Sequence, residues 1–277
     1  MLSDRLKVAI PLLIVVFLAF FLPGIWGKSA FALLAAAMLF TAVHEGCNLC
    51  GMKAFCPQEW LLHAFSVLLI ADAWRYVGLH DCVLLMALIL LAFALSFRQE
   101  VTQHSLETVA RTILIGVLVC WPLSFLAKIF YMPFVNAPVV LSYLVVVTKI
   151  ADIGAYTAGS MTAKMPGGNH KLSPHVSPKK SWEGLAGGIA SSLIVSILFK
   201  IFASSLHLTW TAAVILGILA ATVGLVGDLS ESLLKRASGA KDSGKIPGLG
   251  GTLDMLDSLL PMGVIFYAWL NFTFHIL

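Results

Sequence analysis

The run Gly227–Asp257, GDLSESLLKRASGAKDSGKIPGLGGTLDMLD, gathers Asp228, Glu231, Asp242, Asp254 and Asp257 with Lys235, Arg236, Lys241 and Lys245, between two apolar stretches. An ionisable group at membrane depth costs about 2.5–3.5 kcal/mol on insertion scales, so a cluster of them marks function. Carboxylates alternating with lysines around a glycine-rich turn are suited to holding a divalent metal and phosphate together.

The spacing sharpens this reading. Asp228, Glu231 and Lys235 follow i, i+3, i+7 and share a helix face with Ser232 alongside, and Asp254 and Asp257 share another. Between them, Gly248, Gly250 and Gly251 lack β-carbons, which lets backbone N–H groups approach a ligand. Thr252 is placed to cap a helix beginning at Asp254. The helix dipole favours Asp254 there even without metal, so that residue alone says little. Five carboxylates in one small volume repel one another. The lysines offset part of this and Mg2+ is the natural remainder. A solvated surface loop is the plainer alternative.

A second cluster lies upstream, from Lys149 to Gly184. Asp152 and Tyr156 are four apart on a helical run and share a face, which would look into a polar cavity; Lys149, three before Asp152, could instead simply pair with it. The following loop, rich in Gly, Pro, Ser and Lys, reads as extended and cationic. Ser177, Lys179 and Lys180 then lead into a helix capped by Ser181, with Glu183 in its first turn. Adjacent lysines beside a helix N-terminus attract an anion such as phosphate, although charge that only orients the chain in a membrane would look the same.

The elements that must position these groups are membrane helices. The chain of 277 residues is 59% hydrophobic and 12% charged, with a mean hydropathy of +0.93, against about 25% charged in a soluble domain. Apolar runs at 8–27, 29–46, 59–77, 81–97, 110–131, 137–158, 184–205, 210–227 and 257–276 predict an all-α polytopic membrane protein of about nine spans. The first run is longer than a signal-peptide core and reads as an uncleaved span. Lysine and arginine counting puts the N-terminus, and both polar clusters, on the cytoplasmic side, with the C-terminus outside. The expected setting is a bacterial cytoplasmic membrane with the site facing the cytoplasm and no nucleic-acid partner.

Half of the fourteen acidic residues lie between Asp152 and Asp257. Residues 1–145 therefore read as a transmembrane scaffold and 146–277 as the catalytic region. In the scaffold, His44, Glu45, Asp72, Asp81, Glu100 and Glu107 fall at span ends or loops, where water would solvate them. Cys47, Cys50 and Cys56 lack a second CxxC to complete a tetrahedral metal site and read as reduced thiols.

At its chemistry-bearing residues the chain closely resembles the phosphatidate cytidylyltransferases (CDP-diacylglycerol synthases). Their signature, S-x-x-K-R, four residues, K-D, a P-G-H-G-G turn and L-D-R-x-D, reads here as Ser232…Lys235-Arg236, Lys241-Asp242, Pro247…Gly251 and Leu253-Asp254-Met-Leu-Asp257. Asp152…Tyr156…Gly159 and Ser177-Pro-Lys-Lys-Ser-Trp-Glu-Gly184 fit upstream, so the detailed match covers about the last 130 residues. Leu249 and Met255 replace the common His and Arg, and the stretch between Asp242 and Pro247 is one residue short. The resemblance implies CTP and phosphatidate as substrates and Mg2+ as cofactor. It implies Asp228, Asp254 and Asp257 as metal ligands and Lys235 as stabiliser of phosphate charge. Asp152, Ser177, Lys179 and Lys180 would complete the pocket, with Glu231, Arg236, Lys241, Asp242, Gly248, Gly250 and Gly251 toward substrate. A homodimer is an expectation of the resemblance alone.

The nucleophile of that reaction, a phosphomonoester with a second pKa of about 6, is already ionised near neutrality, so no Ser-His-Asp machinery is required and none is visible. Two rivals remain: a CTP-dependent polyprenol kinase, which would attack the γ-phosphorus, and a cation-coupled transporter, which leaves the lysine-rich turn without a purpose. The D-G-x-x-A-R run of the CDP-alcohol phosphotransferases is absent.

Overall fold

The computed structural model describes residues 14, 16–18, 20, 22, 24–75, 80–97, 102–133, 135–244 and 250–274. They are overwhelmingly helical. In order come α1 (Gly24–Leu49), α2 (Pro57–Arg75), α3 (Asp81–Ser96), α4 (Gln103–Ile115), a π-helical turn (Gly116–Cys120), α5 (Trp121–Tyr131), α6 (Ala137–Thr162), β1 (Lys171–Ser173), β2 (Ser177–Ser181), α7 (Trp182–Phe202), α8 (Trp210–Ala237), α9 (Thr252–Leu256) and α10 (Leu259–Phe274).

Among the described residues, five helical stretches are long and apolar enough to cross a membrane: α1, the continuous Gln103–Tyr131, α6, α7 and α8. Those helices mark an integral membrane protein. The apolar α3 and α10 are 16 residues each, short of the ~20 a span takes. The expected first run, 8–27, lies largely outside the described residues.

The chain forms two compact units. One comprises residues 1–132 and 237–255, the other 133–236 and 256–277. Within the first, α2 buries Glu59, Asp72, Gln58 and His63. Glu59 is 2.6 Å from His44 Nδ1 and also accepts from the Phe55 N–H. Asp81 pairs with buried Lys128 and accepts from Trp121 Nε1. Water therefore does not solvate the scaffold carboxylates as a group: Glu45 and Asp72 are buried, while Glu107 is half-buried and pairs with Arg111. Glu100 lies outside the described residues.

In the second unit, α6 and α7 meet through small residues. A Cβ on Gly154 or Gly187 would run into the opposite helix, and Gly184 and Gly188, four apart on α7, lie against the α6 backbone. Close approach through glycine stripes is how apolar helices gain contact where no hydrophobic drive exists between them. Ser192 and Ser196 of α7 donate to the Gly217 and Ala213 carbonyls of α8, so polar contacts join that pair. The loop after α6, expected to be merely extended, forms an antiparallel pair instead, with Lys171 opposite Ser181 and Ser173 opposite Ser177.

Candidate active site

Helix α8 does not stop at its apolar end near Gly227. It continues to Ala237, because Asp228, Glu231, Ser232 and Lys235 pair along its own surface: Lys235 Nζ lies 2.6 Å from Glu231 Oε2, one turn away. Gly227 and Gly224 shape what faces this polar end. A Cβ on Gly227 would collide with the Asp257 carbonyl and Pro261, and one on Gly224 would meet Ser258 Cβ at 3.4 Å. The missing side chains let the turn between α9 and α10 lie directly on α8. Asp257 thereby comes beside Asp228 and Glu231, and a ligand oxygen from each lies within 4.8 Å of the others.

Lysines close around this trio. Lys180 of β2 reaches Asp228 at 2.6 Å. Lys149 of α6 lies 3.7 Å from Asp257 and 3.4 Å from Asp152, and donates to Ser258 Oγ at 3.0 Å, while Ser258 Oγ donates to Asp152 at 2.9 Å. The local Lys149–Asp152 pair thus exists, as one edge of a wider network. Burial, and next the Asp228 charge, push the Asp257 carboxyl up to about 6, with Lys149 opposing. Among the described residues, four carboxylates (Asp152, Asp228, Glu231, Asp257) face three ammonium groups (Lys149, Lys180, Lys235). Converging carboxylate oxygens are the donor set a hard divalent cation takes, so these residues fit Mg2+.

Beside the cluster, Asp152, Tyr156, Ser177, Lys179, Lys180 and Asp228 line a cavity of ≈ 230 Å³ together with apolar residues that include Ala151, Gly184, Leu185, Gly188 and Leu225. Asp152 and Tyr156 both line this cavity, whose lining is mainly apolar rather than polar. Ser181 Oγ caps α7 by accepting from the Gly184 N–H at 3.1 Å, and Glu183 binds both the His170 backbone N–H and Nδ1, tying the hairpin to the helix start. Arg236 donates to the Val176 carbonyl, on the hairpin turn.

The remaining signature residues belong to the first unit. Asp254 Oδ2 accepts from the Ser243 N–H and hydroxyl, both at 2.8 Å, and from the Gly251 N–H at 2.7 Å. Gly250 has φ +83°, a backbone conformation that favours glycine. Lys241 and Asp242 are exposed. Gly248, with Lys245, Pro247 and Leu249, lies outside the described residues. Thr252 is not the cap of α9 but its first residue. Its N–H and that of Leu253 donate to Glu45, and its hydroxyl pairs with Thr41 Oγ1 at 2.8 Å. The N–H groups of Gly251, Thr252 and Leu253 are therefore taken by carboxylates of this chain rather than held open for a ligand. Sequence spacing gives no sign of Glu45 or Ser258; Ser258 adjoins the last signature aspartate, and only that adjacency marks it.

A family model described as the cytidylyltransferase family matches residues 3–273. The chain belongs to the cytidylyltransferase family. This cytidylyltransferase-family chain is 39% identical over 136 residues to a phosphatidate cytidylyltransferase of Haemophilus influenzae, covering 48% of this chain and 45% of that one. It is 39% identical over 131 residues to one of Mycobacterium leprae, covering 47% and 39%. Against one of Pseudomonas aeruginosa it is 34% identical over 276 residues, covering 98% and 97%. The aligned part thus spans less than half the length of the first two relatives and nearly all of the third.

Proposed function

We propose that this chain transfers the cytidylyl group of CTP to phosphatidate, giving CDP-diacylglycerol and pyrophosphate. The observation that carries the reading is the convergence of Asp228, Glu231 and Asp257 among Lys149, Lys180 and Lys235, in a cytidylyltransferase-family chain with membrane-spanning helices. A phosphate oxygen of phosphatidate forms the new bond to the α-phosphorus of CTP, and the bond from that phosphorus to the pyrophosphate oxygen breaks. No proton needs to be removed from the nucleophile, so the residues act by alignment and charge neutralisation.

Asp228, Glu231 and Asp257 would hold Mg2+, which supplies neutralisation of phosphate charge when bound. Lys149 and Lys180 keep Asp257 and Asp228 oriented through their ion pairs, and Lys235 does the same for Glu231. Ser177 and Lys179 offer the phosphatidate phosphate a hydroxyl and an ammonium in a cavity whose glycine- and alanine-rich lining suits the glycerol part of a lipid, while Asp152 completes the pocket by holding Lys149 and Ser258. Lys241, Asp242, Gly248, Gly250 and Gly251 stay in the proposal as the nucleotide-binding part, and Asp254 as a carboxylate required for turnover.

In this reading the first apolar run, 8–27, and the shorter helices α2, α3 and α10 also cross, for about nine spans in a bacterial cytoplasmic membrane, with the hairpin around Lys171 on the cytoplasmic side where CTP is available. An impermeant thiol reagent should label a cysteine placed at Lys171 only after the membrane is opened; labelling from outside intact cells would overturn the orientation. The activity itself is tested by purifying the protein in detergent and supplying CTP, phosphatidate and Mg2+. Equal amounts of CDP-diacylglycerol and pyrophosphate are expected, and their absence would overturn the reading.

A further inference from the structure

Glu45 is presented by α1, far from the signature in sequence, yet its buried carboxylate meets the signature at both ends of the glycine-rich segment. Oε2 accepts from Ser243 Oγ at 3.0 Å and from the Leu253 N–H at 2.9 Å, while Oε1 accepts from the Thr252 N–H at 2.9 Å. Glu45, Ser243, Thr252 and Leu253 are all buried. A second observation comes from the glycines. A Cβ on Gly244 would lie 2.5 Å from Glu45 Oε1, and a Cβ on Gly251 would collide with Glu45 Oε2 and Ser243 Oγ. The carboxylate therefore occupies a cradle that exists only because both positions lack a side chain.

We propose that Glu45 is a positioning residue, whose carboxylate draws Ser243–Gly244 and Gly250–Leu253 together and so fixes the nucleotide-binding part of the site. Ser243 is the link: its Oγ lies 3.0 Å from Glu45 Oε2 and 2.8 Å from Asp254 Oδ2, so its single proton is shared between the two carboxylates. Asp254 alone reaches Gly251 and Ser243, but Thr252 and Leu253 depend on Glu45. Glutamine at this position keeps the size and one acceptor oxygen, but turns an NH2 group toward one of the N–H donors. One buried donor then loses its acceptor, and the two strands of the segment separate. The consequence for turnover rests on the proposed cytidylyl transfer, whereas the consequence for the backbone does not.

The test is Glu45→Gln in the full chain, extracted in detergent and confirmed monodisperse, read in two ways. Hydrogen exchange should quicken at least about tenfold at the Thr252 and Leu253 amides while the α6 and α7 amides stay protected. Steady-state kinetics should show kcat/KM for CTP lowered at least about tenfold with the KM for phosphatidate unchanged, a split that general destabilisation would not give. Unchanged exchange at Thr252 and Leu253 would overturn the proposal, as would unchanged CTP kinetics in a variant whose amides have loosened. If the wild-type protein forms no CDP-lipid, the functional reading falls and the exchange result alone decides the positioning role. Should Glu45→Gln fail to survive extraction, Ser243→Ala removes one of the three donors, leaves the carboxylate in place, and is held to the same two readouts with smaller shifts.

Discussion

Lys180 Nζ lies 2.6 Å from Asp228 Oδ2, so one of the two adjacent lysines before α7 is committed to a carboxylate of α8 rather than offered to an anion. The pair joins the hairpin β1–β2 to the carboxylate cluster, and it leaves Lys179, which is exposed at the mouth of the same cavity, as the lysine that can meet a substrate phosphate. The two lysines therefore differ in role. Lys179→Ala should raise the KM for phosphatidate by about tenfold or more, as loss of a charge-assisted contact does. Lys180→Ala should instead lower kcat, because it frees the Asp228 carboxylate to move. Identical kinetic signatures for the two variants would contradict this division.

Asp228→Asn should reduce turnover by about a hundredfold or more while leaving folded protein in the membrane, since an amide loses the charge that binds a divalent cation. Asp254→Asn should also be severely impaired, through loss of the acceptor shared by Ser243 and Gly251. Near-normal turnover of either variant at saturating Mg2+ would count against these roles.

The raised Asp257 carboxyl gives a pH signature. With its proton leaving at about 6, Asp257 is neutral below that pH in the metal-free protein, and a cation must displace the proton to bind. Mn2+ binding followed by electron paramagnetic resonance should weaken up to about tenfold per pH unit as pH falls below 6, and level off above it. Asp257→Asn should bind more weakly and lose the step. A step that persists in Asp257→Asn would assign it to another group.

Ser181→Ala removes the α7 cap and should cost about 1 kcal/mol of stability, read as a lowered melting temperature in detergent. No change in melting would mean that the hydroxyl contributes nothing to the helix start.

Gly250→Val forces a β-branched side chain into a positive-φ site, 2.6 Å from Asp254 Oδ2, and should abolish activity. Leu249, outside the described residues, offers no polar chemistry and Leu249→Ala should be tolerated. The reverse pattern would exchange the importance of these neighbours.

What the sequence discloses is local. Apolar runs locate the long helices, and the i, i+3, i+7 spacing puts Asp228, Glu231 and Lys235 on one face because helical periodicity alone determines it. Ser181 as an N-cap is legible for the same reason. The apolar pattern ends α8 ten residues early, since apolarity stops at Gly227 while side-chain pairing carries the helix on to Ala237. Glu45 looks solvated from its neighbours in the chain, yet it is buried. Its partners are about 200 positions away, Ser243 lying 198 positions further along the chain, and no periodicity reports a contact of that range. Thr252 looks like a cap, but the acceptor for the first α9 amides comes from another helix. The hairpin after α6 is hidden by residues typical of loops.

The most direct test of the central claim is positional labelling. Purified protein is given phosphatidate, Mg2+ and CTP carrying radioactive phosphorus at either the α or the γ position, and the lipid product is extracted and counted. Cytidylyl transfer predicts label in the lipid from α-labelled CTP, none from γ-labelled CTP, and loss of the signal in Asp228→Asn. Label reaching the lipid from the γ position would mean a kinase, and would contradict the account.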